Sequence, residues 1–174
     1  MGNMLFCKRK QIKIFLWGMF AGKTTILYKN ILNQQDCMTI PTVGWNVETT
    51  TIKDKQVTFW DFGGGFKAYE LRNNYINELV DGVIYVIDSS RLDEDIYCQN
   101  EFKLFMNLER IKHIPVAVFF HKQDIKEGRP TEEEIKNYYH FDEIPDVNYK
   151  IFETSSVTGE GINEGLNWLL NNIN

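Results

Sequence analysis

Two uninterrupted apolar runs, "GVIYVID" (82–88) and "PVAVFF" (115–120), constrain the fold of this chain more than any other feature. Short, apolar and free of polar alternation, they suit strands buried on both faces, the condition of inner strands in a parallel sheet. Between them lies "LDEDIYCQNEFKLFMNLERI" (92–111), whose amphipathic spacing predicts a long helix. The alternation extends in both directions. "QIKIFLW" (11–17) predicts a strand, followed by a Gly-punctuated run and the helical pattern "KTTILYKNIL". "NVETTTIKDKQVTFWDF" predicts a hairpin turning near Lys53-Asp54-Lys55. "PTEEEIKNYY" predicts a helix with Thr131 and Glu134 at capping-box spacing, so its glutamates read as a solvated helix start and not as a metal site. "YKIFET" predicts a last short strand, and "GINEGLNWLLNNI" a helix with Ile162, Leu166, Leu169 and Ile173 on one face. The expected fold is α/β: a mostly parallel central sheet, helices on both sides, and ligands at the C-terminal ends of the strands.

A length of 174 residues suits one such domain, with no internal repeat or low-complexity tract. The net charge of −5 and pI near 5.3 argue against a nucleic-acid partner, which calls for a basic face. Cys7, Cys37 and Cys98 are an odd number without metal-ligand spacing, as expected in a reducing compartment. No apolar run approaches a membrane span, and "MGNMLFCKRKQ" lacks the apolar segment of a secretory signal, so a cytoplasmic location is expected.

Four strand ends carry polar motifs. After the first strand, Gly22-Lys23-Thr24-Thr25 opens a helix, so its amides would converge on an anion at the positive end of the helix dipole. Lys23 would then reach β- and γ-phosphates and the Thr24 hydroxyl a Mg²⁺ ion, although an ordinary Gly turn with a surface lysine would carry the same tripeptide. "WDFGG" (60–64) ends the hairpin, where Asp61 can hold Mg²⁺ directly or through water. "HKQD" (121–124) follows the fifth strand, where Asp124 can accept from both donors on the Watson–Crick edge of guanine. "TSSVTG" follows the last, where the Ser156 N–H can donate to the guanine O6. Each alone reads equally well as a strand-end turn; coincidence does not account for all four in this order.

Over nearly its whole length the chain resembles small GTPases of the ADP-ribosylation factor (Arf and Arf-like) branch, most specifically in "GKTTILYK", "PTVGWNVET", "WDFGG", "KQD" and "TGEGINEGLNWL". The resemblance implies a three-layer P-loop NTPase fold with one antiparallel edge strand, and GTP or GDP with Mg²⁺ as cofactors. It puts Phe20, Ala21, Gly22, Lys23, Thr24 and Thr25 around the phosphates, with Lys23 as the catalytic cation, and Gly64 at the γ-phosphate. His121, Lys122, Asp124, Ser155 and Ser156 would surround the base, and Thr24, Thr42 and Asp61 would hold the metal. Trp45, Trp60 and Tyr75 would face effectors, unless they are simply core. Partners would be guanine nucleotide and effector, exchange and activating proteins at the switch regions, on a monomer.

Three departures qualify this reading. The family pattern Gly-x-x-x-x-Gly-Lys-Thr puts Trp17 in the first glycine's slot, so the start of the loop must be re-routed and phosphate binding is expected to weaken. His121 replaces the asparagine of Asn-Lys-x-Asp, a loss of roughly 1–3 kcal/mol if the imidazole cannot replace the amide. Gly65 stands where the family holds its water-positioning glutamine, and Met19 adds bulk where a partner's arginine would enter, so hydrolysis is expected to be impaired. The chain therefore reads as a GTP-binding switch or scaffold, with a partner-completed GTPase and a nucleotide-free interaction module as alternatives. Residues 1–10 read as a tail before the GTP-binding domain of 11–174. Gly2 permits N-myristoylation although Phe6 is not the preferred Ser or Thr, and Cys7 or Lys8-Arg9-Lys10 would supply a second membrane signal. A frayed tail with a solvated basic cluster is the equal alternative.

Overall fold

Strand β1 (Ile12–Trp17) sends Ile14 and Leu16 to one side and Phe15 and Trp17 to the other, and all four are fully buried. Strands β4 (Gly82–Asp88) and β5 (Val116–His121) repeat the pattern. Ile84, Val86, Ala117 and Phe119 join the first of two hydrophobic clusters; Val83, Tyr85, Val118 and Phe120 join the second. Side chains alternate across a strand, so two clusters fed by the same strands mean a sheet covered on both faces.

The computed structural model describes residues 11–34, 42–63, 76, 80–90, 92 and 96–173. With β2 (Trp45–Ile52), β3 (Lys55–Phe62) and β6 (Tyr149–Glu153) the described strands form one six-stranded sheet, ordered β2-β3-β1-β4-β5-β6. Only β2 runs antiparallel to its neighbour, pairing Val47 with Trp60 and Trp45 with Phe62. The β2–β3 hairpin turns on Lys53 and Asp54, both at positive φ, as a tight two-residue turn requires.

Helix α1 opens as Lys23–Thr25 and continues with π spacing over Ile26–Ile31, packing Ile26 and Leu27 on the first cluster. The same face receives Ile162, Leu166 and Leu169 of α4 (Ile162–Asn172), with Ile173 packed beside them. The opposite face is covered by Phe102 and Phe105 of α2 (Ile96–Met106) and Ile135 of α3 (Glu132–Tyr138). The single helix expected over 92–111 is interrupted: Leu108 is extended, at ψ 133°, and a separate 3₁₀ turn follows at Glu109–His113. The capping box forms as its spacing predicts, with Glu134 N–H donating to Thr131 Oγ1 at 3.2 Å and Thr131 N–H to Glu134 Oε2 at 2.8 Å. Five parallel strands, β3, β1, β4, β5 and β6, thus have their C-terminal ends along one edge of the sheet.

Candidate functional site

The phosphate loop begins differently from the sequence expectation. Trp17 is an ordinary strand residue paired with Tyr85, its ring buried against Phe62 and Phe105. The glycine-only backbone falls one residue later, on Gly18 at φ +113°, where a Cβ would lie 2.1 Å from the Val86 carbonyl oxygen. Re-routing therefore shifts the Gly-requiring turn by one residue and leaves Trp17 unstrained. Met19 is buried, and Phe20, at φ +48°, carries the loop's exposed apolar side chain. Gly22, at φ +91°, turns the chain into α1 with Ala21 buried behind it. Lys23 is buried, and its ammonium donates to the Gly18 carbonyl at 2.6 Å.

The three residues expected to hold a metal meet at one point. Thr24 Oγ1 donates to Asp61 Oδ2 at 2.5 Å, and Thr42 Oγ1 lies 2.9 Å from the Thr24 oxygen. Since the Thr24 proton goes to Asp61, Thr42 is the donor in that second bond. Asp61 is fully buried, and its other oxygen, Oδ1, has no hydrogen-bond partner among the described residues. Burial raises the Asp61 pKa, with Thr24, the Lys23 charge, Asn46 and Thr42 opposing it. Two hydroxyls and a carboxylate with a spare buried oxygen are the hard donor set that Mg²⁺ prefers, so the residues fit the ion. Gly64, Gly65 and Tyr75 lie outside the described residues.

On the base side, Asp124 is exposed and its Oδ1 accepts from Ser155 Oγ at 2.5 Å. Ser155 in turn accepts from the N–H groups of Val157 (3.1 Å) and Thr158 (3.3 Å). The Ser155 hydrogen bond, more than any other influence, lowers the Asp124 pKa and keeps it a carboxylate able to accept. His121 is 3% exposed, with Nδ1 2.9 Å from Thr154 Oγ1 and Nε2 2.8 Å from Ser156 Oγ. Its ring also lies against the phosphate loop: a Cβ on Gly22 would sit 3.3 Å from His121 Cδ2. Burial first, then the Lys122 charge, push its pKa down to about 4. The imidazole is neutral at pH 7, one nitrogen donating and the other accepting. The imidazole thus ties the end of β5 to the segment after β6 through both of its nitrogens.

Three site residues escaped the sequence reading. Asp88, at the end of β4, takes Lys122 Nζ at 2.6 Å on one oxygen and the Ser90 N–H and hydroxyl on the other. Burial works against its charge, but Lys122 and Ser90 prevail and its pKa is lowered. Its signal, an acid at the end of an apolar strand, is the one that pointed to Asp61. Thr154 and Glu101 carried no local signal, since their roles depend on partners in other elements. Of the aromatic trio, Trp45 is 42% exposed on the edge strand, whereas Trp60 is half-buried against Phe15 and Phe62.

This geometry has relatives. The profile of the ADP-ribosylation factor family matches residues 1–173. ADP-ribosylation factor-like protein 2 of Dictyostelium discoideum is 37% identical over 168 residues, covering 95% of this chain and 89% of that protein. The Arl6 (BBS3) small GTPase of Trypanosoma brucei, solved with the bound nucleotide analogue GppNp, superposes with a TM-score of 0.77 at 28% identity, covering 93% of this chain and 96% of that one.

Proposed function

This chain belongs to the ADP-ribosylation factor family, and from that premise we propose that it is a guanine-nucleotide-dependent switch or scaffold that recruits partners in its GTP state and hydrolyses GTP poorly. Members of the family bind GTP and GDP with Mg²⁺. The observation that carries the proposal is the convergence of Thr24, Thr42 and Asp61 beside the amino end of α1 and the buried Lys23. In this reading the α1 amides and Lys23 bind the phosphates, Asp124 and the Ser156 N–H read guanine, and His121 holds base and phosphate loops together. Mg²⁺, when bound by Thr24, Thr42 and Asp61, would neutralise phosphate charge. Thr42 is drawn toward Thr24 in the same cluster, so the segment before β2 would respond to what that cluster holds.

Identification of the nucleotide released by heat-denaturing the purified protein tests the proposal. GDP or GTP is expected; protein without nucleotide that takes up neither on incubation would favour the pure interaction module. Weak hydrolysis rests on Gly65, which has no side chain with which to orient water. Single-turnover phosphate release is expected to be no faster than roughly 10⁻⁴ per second, the unassisted scale of small GTPases. A much faster rate without a partner would refute the impairment. A role in membrane trafficking is proposed on Gly2 together with Cys7 or Lys8-Arg9-Lys10, which lie outside the described residues. Fractionation of cells expressing wild type and Gly2→Ala tests it, and a wholly unsedimented wild type would reject it.

A further inference from the structure

The Trp17 indole does more than fill space. Its N–H donates to Oε1 of Glu101, and the Tyr85 hydroxyl donates to Oε2 of the same carboxylate. All three side chains are buried, and Glu101 lies on α2, 84 positions along the chain from Trp17. An indole N–H can only donate, so an apolar side chain at 101 would leave it unsatisfied inside the core. Burial and then the adjacent carboxylate hold the Tyr85 phenol well above its usual pKa, which keeps it a donor.

The tie leads directly to the phosphate loop. Trp17 is followed by Gly18, whose carbonyl accepts from Lys23 Nζ at 2.6 Å. Gly18 has no slack, because its α-carbon is packed against the Val86 carbonyl so closely that a Cβ would lie 2.1 Å from that oxygen. A rotation of the Trp17 peptide is therefore felt at the Gly18 carbonyl. We infer that Glu101 is a positioning residue for nucleotide binding: by holding the Trp17 indole it holds the Gly18 carbonyl, and through it the direction of the Lys23 ammonium. The inference rests on the nucleotide-binding reading above. It assigns a use to the residue that departs most from the family pattern, since a glycine in the slot of Trp17 would offer Glu101 nothing to hold.

The test uses the full chain as wild type, Trp17→Phe, Glu101→Leu and Glu101→Gln. Binding of GDP and of GMP is measured by competition against fluorescent GDP, with melting temperature measured in parallel. GMP lacks the β-phosphate that Lys23 would reach. Trp17→Phe and Glu101→Leu are expected to raise the Kd for GDP about tenfold, the scale of coupling through a packed contact, and to leave GMP within about twofold. Glu101→Gln restores most of the GDP affinity, because its carbonyl accepts from the indole while its amide donates to Tyr85. Trp17→Phe keeps an apolar ring in the core and carries the test alone if Glu101→Leu does not fold. Unchanged GDP affinity in folded Trp17→Phe overturns the inference, as does an equal loss for GDP and GMP, which marks a purely structural role. A wild type that binds no guanine nucleotide overturns the functional reading and this inference with it.

Discussion

Trp17 at the end of β1 and His121 at the end of β5 both replace residues the family holds small or amidic, and both are buried. They are accommodated by different physics. The indole turns into the core under α2, takes one carboxylate for its single N–H, and passes the backbone constraint to Gly18. The imidazole stays between the two binding loops, and each of its nitrogens finds a hydroxyl on the segment after β6. A large apolar substitution is thus absorbed by moving the side chain out of the site, at the cost of shifting the turn by one residue. A polar substitution can remain in the site, provided every polar atom it brings is paired. The phosphate side depends on packing and the base side on hydrogen bonds, and the two should fail differently.

The largest expected effect lies on the phosphate side. Trp17→Ala removes a fully buried ring and should destabilise the fold by about 3–5 kcal/mol in chemical denaturation. A loss below about 1 kcal/mol would show that the ring is not core and would dissolve the contrast.

The next effect is a pH dependence arising on the base side. The folded-state pKa of His121, about 4, lies below its ordinary value of 6.5, so the folded protein binds fewer protons than the unfolded chain. Stability is fully present above pH 6.5 and is lost as pH falls toward 4, by an amount on the order of 3 kcal/mol. The measurement is urea denaturation across that window for wild type and His121→Asn, which shares the acidic groups but lacks this slope. Parallel curves for the two proteins would place the imidazole in water.

A smaller effect separates the roles of shape and pairing at the same position. His121→Ala leaves Thr154 and Ser156 without their shared partner and should weaken GDP binding about ten- to a hundredfold. His121→Asn, which keeps one tie and the family's own amide, should stay within about threefold. Calorimetric titration checks both, and equal losses would mean that the ring contributes bulk alone.

Much of this was legible in the sequence, for local reasons. The apolar runs, the Thr131–Glu134 spacing and the Lys53-Asp54 turn act over a few residues, and the structure follows them. The strand-end position of Asp61 and Asp124 follows from the same periodicity. What stayed illegible depends on partners distant in the chain. Nothing near Trp17 announces Glu101, and nothing near His121 announces Thr154 and Ser156, since burial of a polar side chain is decided by what the fold brings to it. The break at Leu108 was hidden for another reason: its neighbours keep helical spacing, so periodicity alone reads straight through it.

The central claim is that both departures are accommodated and the site still recognises guanine nucleotide with Mg²⁺. Its most direct test is titration of nucleotide-free full-length protein with fluorescent GDP and ADP, each with Mg²⁺ and with EDTA. GDP is expected to bind at least about tenfold tighter than ADP, a discrimination set by hydrogen-bond donors facing Asp124, and to bind more weakly when the metal is chelated. Equal affinity for the two bases, or GDP binding indifferent to EDTA, would contradict the claim.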